Sequence, residues 1–500
     1  MNYNTSVGGI PAQVRGTDVT FPNSPVQLGT LDSYMAGLTL DYRAGPVDIT
    51  SVTGYMHYYD LEDHESATSF GYGINGVVGK WYQFSQEVRA VTKLSGPFNF
   101  AGGVYYDKTR DTEHGPNLII PLPPDPRNGS YFTYIYDGLT TGENYSAFGQ
   151  VRWNIVDRWE FDAGVRYSHD ARTGDVSNTF VNQNSIGLVP LEAGGVHVVG
   201  KKHYVNFSPE YTLTWTATPD TIVYGTYRTG YKPGESGNPY IVSAGLTANT
   251  LFYQTETVKG GEVGFKSTLL DNKLRVTGAA FVYLYHDLQV SNFNSTDFVL
   301  TPLAGDMKTD GFEFDVTWRV IPALRLNASA AYTHAFWTNF PGVACYAVGN
   351  LGTEPRPDVA PNCDLSGTPA TNPNYATENL TGLPKFRAPQ WTGNIGFVYD
   401  LPAFRDIKTE FNANVYFTSS YNSQENDSPF AQQDGYRIVD AGFKFRMLDD
   451  HFEFAVIGKN LTDTKYVGAT YDQANANNSA TVFGIVGPPR SVLFQATYRY

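Results

Sequence analysis

The segment GFEFDVTWR, residues 311–319, alternates between two kinds of side chain. Its apolar positions are Phe312, Phe314, Val316 and Trp318, and its polar positions are Glu313, Asp315, Thr317 and Arg319. Successive side chains of a β-strand point to opposite faces of the sheet, so this segment presents one aromatic, apolar wall and one charged wall. The pattern predicts a β-strand that separates an apolar environment from an aqueous one.

The same alternation recurs along the chain. WEFDAGVRYS (159–168) and IKTEFNANVYF (407–417) repeat it, and the chain ends on it in PRSVLFQATYRY (489–500). In this last segment the polar face carries Gln495 and Arg499. We expect the final strand to close a barrel against the first strand, with a lipid-facing wall formed by Val492, Phe494, Ala496, Tyr498 and Tyr500.

The spacing of the strands predicts their connectivity. Short polar turns occur at 43–46, 94–97, 154–158, 269–273 and 447–450, and long polar stretches occur at 108–143, 171–202, 336–386 and 467–489. Short turns at one end and long loops at the other are typical of an antiparallel membrane barrel. We predict about seventeen strands between Tyr34 and Tyr500, each of about ten residues, which is enough to cross a bilayer at a tilt.

The composition distinguishes this barrel from a soluble β-sandwich. Aromatic residues make up 15% of the chain and charged residues 17%, whereas a soluble domain carries about 25% charged residues. Tyr, Phe and Trp near strand ends are typical of the girdles of membrane barrels, and so many strands in a sandwich would leave open edges. The sequence therefore predicts an all-β fold, a transmembrane antiparallel up-and-down β-barrel with long extracellular loops and short periplasmic turns.

Charge and hydropathy exclude two other classes. No run of 18 apolar residues is present, so we expect no membrane-spanning helix. The net charge of -14 argues against a nucleic-acid partner, because phosphate binding requires a basic face.

Several motifs resemble one family. FAVIGKNLTDTKYVGA (454–469) followed by GPPRSVLFQATYRY (487–500) resembles the closing hairpin of TonB-dependent outer-membrane receptors. Looser matches follow in the family's order, among them YSAFGQVRW (145–153), IVYGTYRTGYKPG (222–234) and GGEVGFKSTLLDNKLRV (260–276). The resemblance implies a 22-strand barrel in the bacterial outer membrane, in contact with lipid and lipopolysaccharide. It also implies energised uptake of a scarce ligand, by default a ferric siderophore, through the partner TonB.

The start of the chain departs from this family pattern. Residues 1–33 show neither a plug domain nor a TonB box, and we interpret them as the remnant of an early extracellular loop that precedes an incomplete barrel at 34–500. On this interpretation the chain is a truncated form and does not by itself perform the coupling step. Two alternatives are a passive porin-like channel and an outer-membrane enzyme, but no nucleophile or acid pair stands out and we predict no catalytic residue.

The two cysteines, Cys345 and Cys363, both lie in the long loop 336–386. If the loop is extracellular, as the resemblance implies, oxidising conditions favour a disulfide between them over two free thiols.

Candidate ligand contacts lie in the predicted outer loops. Aromatic walls suit planar ligands, and one loop carries the cluster Tyr131, Phe132, Tyr134 and Tyr136. Loop packing or an interfacial girdle is the alternative for these four. His64 and His114 lie near acidic residues, so contact with iron or haem is conceivable, although solvated loop histidines are the alternative. No His or Cys pair has a metal-ligand spacing, so the sequence predicts no metal site and no cofactor.

Overall fold

The computed structural model describes residues 28–68, 71–118, 122–186, 191–236, 242–243, 245–294, 299–346, 359–367, 375–474 and 480–499. Of the predicted N-terminal loop 1–33, residues 1–27 lie outside the described residues. Residues 28–33 already belong to the first strand, so the barrel wall begins before Tyr34. No helix in the described part of the chain is long and apolar enough to cross a membrane, a finding that does not bear on crossing by strands.

The described residues form strands and two short 3-10 helices, Gln183–Ser185 and Pro429–Ala431. In chain order the strands are β1 (Leu28–Ala44), β2 (Val47–Thr68), β3 (Gly71–Thr92), β4 (Phe98–Leu118), β5 (Tyr134–Val156), β6 (Trp159–Val181), β7 (His197–Thr218), β8 (Thr221–Lys232), β9 (Glu256–Leu269), β10 (Leu274–Asn294), β11 (Val299–Ile321), β12 (Leu324–Asn339), β13 (Val343–Ala344), β14 (Thr377–Glu378), β15 (Trp391–Phe404), β16 (Ile407–Thr418), β17 (Tyr421–Asn422), β18 (Gln432–Gln433), β19 (Tyr436–Met447), β20 (Phe452–Lys459), β21 (Val467–Ala474), β22 (Ala480–Val486) and β23 (Ser491–Tyr498).

Within these ranges one sheet contains 17 strands, which confirms the predicted number and the antiparallel fold. Each strand of the sheet pairs with its neighbour along the chain, and the six short strands form three hairpins outside the sheet: β13–β14, β17–β18 and β21–β22. The predicted turns lie between strands. In the turn between β1 and β2, Gly45 adopts a φ of 60°, a left-handed conformation that glycine allows without a steric cost.

The strands are longer, and the loops shorter, than the sequence predicted. β5 and β6 each contain 23 residues, and much of the stretches 108–143 and 171–202 is strand rather than loop. The stretch 467–489 likewise contains the β21–β22 hairpin. The outer ends of these strands lack the apolar–polar alternation because connections, rather than lipid, cover them there: Val176 and Asn178 are 0% exposed. Backbone pairing with the neighbouring strand maintains the structure there.

The sequence predicted that the last strand, β23, pairs with the first strand, β1, and closes the barrel. Among the described residues, β1 pairs only with β2, and β23 pairs only with β20, in a register that places Phe494 opposite Val456. Within the described residues no ladder joins β1 to β23. Closure depends on strand number, tilt and shear together, and the alternation of one strand does not encode these quantities.

The two faces of the wall have different chemistry. In β9, Val263 is 64% exposed on the outer face. The adjacent Glu262 accepts hydrogen bonds from the Tyr224 hydroxyl at 3.1 Å and the Tyr283 hydroxyl at 3.3 Å. Val492, Phe494 and Tyr498 are exposed in β23, whereas Tyr500 lies outside the described residues. This arrangement matches an apolar band that faces lipid around a polar interior.

The buried apolar residues lie at the end of the sheet that carries the long connections. The largest cluster there contains Val290, Met307, Ala335, Trp337, Phe340, Val343 and Leu380. Trp337 and Phe340 stack with their ring centroids 4.1 Å apart. This cluster packs part of the loop 336–386 against the ends of β10, β11 and β12.

Candidate ligand-binding site

A polar cavity of about 610 Å³ lies against the inner wall near the end with the long connections. Strands β3 to β6 form one side of it, and the connection from β8 to β9 together with β10 forms the other. Its lining includes Trp81, Gln83, Asp107, Thr109, Asp111, Arg172, Lys232, Glu235, Phe252, Tyr253, Gln289 and Ser291. The volume lies in the range of small-molecule sites in proteins.

Arg172 is the best-positioned cation of this cavity. Its Nη2 donates to Asp170 Oδ1 at 3.2 Å, and the Tyr231 hydroxyl also donates to Asp170. The side chain is only 17% exposed, and its buried Nε has no hydrogen-bond partner among the described residues. A Cβ at position 142 would collide with the guanidinium, so Gly142 leaves the space that this side chain occupies. The result is a fixed cation in the wall of the cavity.

Aromatic and amide groups line the opposite side of the cavity. The Tyr253 hydroxyl lies 2.6 Å from Ser291 Oγ, and the Tyr204 hydroxyl donates to the Tyr253 carbonyl at 3.1 Å. Phe252 packs in a buried cluster with Val176, Val242 and Leu251, and this cluster anchors the 242–253 segment on the wall. Gln289 Nε2 donates to the carbonyls of Pro233 and Gln254 at 3.1 and 3.0 Å. The cavity can therefore combine ring stacking with hydrogen bonds.

Sequence reasoning missed this group. Its members come from six strands and one connection, and none forms a local motif. The segment IVYGTYRTGYKPG (222–234) contains Lys232, but the sequence indicated only its resemblance to the family. The available signal was a polar residue on the inner face near the end of each strand, a signal shared by many positions that do not line the cavity.

The predicted aromatic cluster lies elsewhere. Phe132, Tyr134 and Tyr136 are at most 9% exposed, and Tyr131 packs against the buried pair Leu118 and Phe132. None of the four lines the cavity. The structure places them in the packing of the 122–136 segment on the wall, which was the alternative for this cluster.

The predicted histidines are also separate from the cavity. His114 Nδ1 lies 2.7 Å from Asp137 Oδ1 in an exposed pair on the outer part of β4 and β5. His64 belongs to β2, but its side chain lies outside the described residues. Among the described residues, one group of three has the spacing of metal ligands: His286, Asp287 and Asp306. It is partly exposed, and His286 Nδ1 already lies 2.6 Å from Asp306 Oδ1.

Cys345 and Cys363 form a disulfide, with their Cα atoms 5.8 Å apart. Both pack in a small cluster with Tyr346, Ala360 and Ala376, away from the 17-stranded sheet. The bond therefore stabilises the outer loop rather than the barrel wall.

Most cations of the inner wall have acidic partners. Arg152 Nε lies 3.3 Å from Asp162 Oδ1, and Arg499 donates to Glu453 at 3.2 Å. Arg446 Nη2 donates to Glu410 at 3.1 Å. These cations are paired within the wall, as Arg172 is with Asp170. Arg446 Nε, like Arg172 Nε, is buried without a hydrogen-bond partner among the described residues.

Comparison with known proteins identifies the family. The family described as TonB dependent receptor-like, beta-barrel, matches residues 2–480. The pesticin receptor of Yersinia enterocolitica is 25% identical over 261 residues, which are 52% of this chain and 35% of that protein. The chain thus spans well under half of the curated relatives that it matches.

Solved structures share the fold. The ferric yersiniabactin uptake receptor FyuA from Yersinia pestis superposes with a TM-score of 0.73 at 17% identity, covering 95% of this chain and 62% of that one. The siderophore receptor PiuA from Acinetobacter baumannii gives 0.68 at 15% identity, covering 95% and 65%. The chain therefore belongs to the TonB-dependent receptor-like β-barrel family, whose members are bacterial outer-membrane receptors and transporters rather than enzymes.

Proposed function

We propose that the protein takes part in the energised uptake of an anionic ferric chelate, a ferric siderophore, across the outer membrane. The observation that carries the proposal is the guanidinium-bearing side chain of Arg172, which is 17% exposed and lines a polar cavity of about 610 Å³. A charge-assisted hydrogen bond from a guanidinium to a carboxylate or catecholate oxygen is stronger than one between neutral groups.

The shape and lining of the cavity support a chelate of moderate size. Lys232 adds a second cation, while Trp81 and Tyr253 add rings that can stack on a planar chelating group. Asp107, Asp111 and Glu235 carry negative charge in the same lining, so the cavity selects for ligands that place their anionic side toward Arg172.

The names of related proteins point to the same ligand class. They include a ferric yersiniabactin uptake receptor and a siderophore receptor. On this proposal the energy comes through TonB, which contacts a segment outside the barrel, and the apolar outer face meets lipid and lipopolysaccharide. The contacts with TonB and with the membrane are part of the function proposed for the complete protein.

The test is iron transport by cells in which the gene is deleted and replaced. Three forms of the complete gene are compared: the natural one, Arg172→Gln, and the control Arg405→Gln, whose residue is exposed in the turn after β15. We expect uptake of radioactive iron from a panel of ferric siderophores to be restored by the natural and control genes. Arg172→Gln should reduce it at least tenfold at low ligand concentration.

Binding to the purified chain in detergent provides the second readout. A ferric chelate in the cavity should quench the fluorescence of Trp81, and Arg172→Gln should weaken this quenching. Uptake that persists when a protonophore removes the proton gradient would indicate a passive channel instead. Absence of uptake and of quenching with every ferric chelate would overturn the proposal.

A further inference from the structure

An apolar groove of about 420 Å³ opens on one side of strands β3 to β6. Val104 lies opposite Val88 on one side and opposite Ala147 on the other. Ala147 in turn lies opposite Tyr167, so its small side chain forms a low floor between larger ones. The lining includes Val88, Val104, Tyr106, Tyr145, Ala147 and Tyr167.

The groove faces away from the polar cavity of the inner wall. Asp107 and Asp111 of β4 line that inner cavity. Successive side chains of a strand point to opposite faces, so Val104, Lys108 and Arg110 lie on the outer face of the same strand. Val104 is 57% exposed there. In an outer-membrane barrel this is the face that meets lipid.

Two exposed cations, Lys80 and Arg110, lie on the outer face beyond the end of the groove. Arg110 follows the groove residue Tyr106 by four positions in β4, which corresponds to about 14 Å along the strand. Lys80 of β3 lies opposite Thr112, so Lys80 and Arg110 are diagonal neighbours with their Cα atoms about 7–8 Å apart. Their long side chains can therefore contact the same ligand group.

The two cations differ from the neighbouring Lys108 in their partners. Lys108 Nζ lies 2.7 Å from Glu143 Oε1 and is thus neutralised on the outer face. In the part of the chain that the structure describes, no carboxylate lies within ion-pair distance of Arg110 or Lys80. The Lys80 ammonium lies 5.9 Å from the centre of the Tyr59 ring, which leaves its charge uncompensated. The outer face therefore combines two positive charges with an apolar groove.

We propose that Lys80, Arg110 and this groove bind one membrane lipid that carries an anionic phosphate headgroup. The guanidinium and ammonium groups donate charge-assisted hydrogen bonds to the phosphate. One acyl chain lies in the groove, where the gain comes from close packing, since the alternative environment of the chain is other lipid.

The order of the groups along β4 fits this occupant. The cations lie toward the end of the barrel with the long connections, and the groove lies toward the middle of the wall, just as a lipid headgroup lies outside its acyl chains. A lipid is already the neighbour of this face in the membrane, whereas a second protein would have to displace it. The negative phosphate complements the two cations, so the surface favours anionic lipids over zwitterionic ones.

The test is native mass spectrometry of the purified chain, folded in detergent and mixed with phosphatidylglycerol or phosphatidylcholine that have identical acyl chains. We expect one phosphatidylglycerol molecule to remain bound, with at least a tenfold preference over phosphatidylcholine. The double variant Lys80→Gln/Arg110→Gln should lose this preference. The control Lys201→Gln removes an exposed cation from the outer face of β7 and should retain it.

A second variant tests the groove separately from the cations. Ala147→Trp fills the groove and should weaken binding of phosphatidylglycerol at least tenfold, although both cations are present. Heat-dependent migration in gels shows that each variant retains its barrel.

Four outcomes would overturn the proposal. They are equal binding of the two lipids, an unchanged preference in the double variant, unchanged binding in Ala147→Trp, and displacement of the lipid by millimolar inorganic phosphate, which would indicate a site for free anions. Iron uptake does not depend on any of these measurements, so their failure would leave the proposed function intact.

Discussion

Removal of the disulfide should loosen the outer loop without unfolding the barrel. The bond links Cys345 and Cys363, which are 18 positions apart in sequence. Closing a loop of this size restricts the unfolded loop by about 3 kcal/mol. Since about 1.4 kcal/mol corresponds to a tenfold change in an equilibrium constant, the double variant C345A/C363A should open the loop about 100-fold more often.

The effect should remain local, because the disulfide packs with Tyr346, Ala360 and Ala376 and not with the 17-stranded sheet. Hydrogen exchange measured by mass spectrometry tests this expectation directly. Peptides that cover 359–367 and 375–390 should exchange about 100-fold faster in the variant. Peptides from β5 and β6 serve as the internal control and should not change.

Two results would refute the reasoning. Unchanged exchange in the loop peptides would mean that packing alone holds the loop, so that the loop-entropy argument does not apply. Equal acceleration in the strands would mean that loop and wall unfold together, which contradicts the separate clusters seen in the structure.

Three further predictions concern packing, pH and the lipid-facing surface. Trp337→Ala should lower the free energy of unfolding by about 3–5 kcal/mol, because Trp337 is 1% exposed and stacks on Phe340. Denaturant titration measures this loss. An equal loss in Trp337→Ala and Trp337→Phe would contradict the prediction. The raised pKa of Glu378, about 8, favours the neutral acid in the folded loop, so its contribution to loop stability is present at low pH and is lost as the pH rises from about 4.5 to about 8. Protease cleavage of the loop should therefore increase between about pH 5 and 8 in the natural chain and stay level in Glu378→Gln. Val263→Arg should destabilise the barrel in lipid by about 2–4 kcal/mol if Val263 lies near the bilayer midplane, whereas Asp271→Arg in the short turn after β9 should have little effect on folding into vesicles.

The strand pattern was readable from the sequence because side-chain direction has a period of two residues. The alternation in 311–319 and 407–417 predicts which wall is apolar without any knowledge of the partners of those strands. Short turns such as 269–273 then predict antiparallel neighbours. The strand count and the fold class followed, and the structure confirms both.

The outer parts of the strands were not readable in this way. In β5 and β6 the apolar–polar alternation fades toward the outer ends, where connections pack on the strands, as Val242 does on Val176. The sequence therefore predicted loops where backbone pairing continues. The aromatic cluster around Tyr134 and Tyr136 was similarly ambiguous, because burial in loop packing and exposure to a ligand require the same side chains.

By itself, the sequence determined the properties that depend on near neighbours: the strands, their two faces, the short turns and the family motifs. Only the tertiary structure decided which distant residues meet. Arg172 lies beside Gly142 and a cavity that also includes Tyr253, and the backbone N–H of Arg387 donates to the Asn422 carbonyl. Such contacts depend on how separate connections dock, and docking is a sum of many weak, non-local interactions that no short stretch of sequence contains.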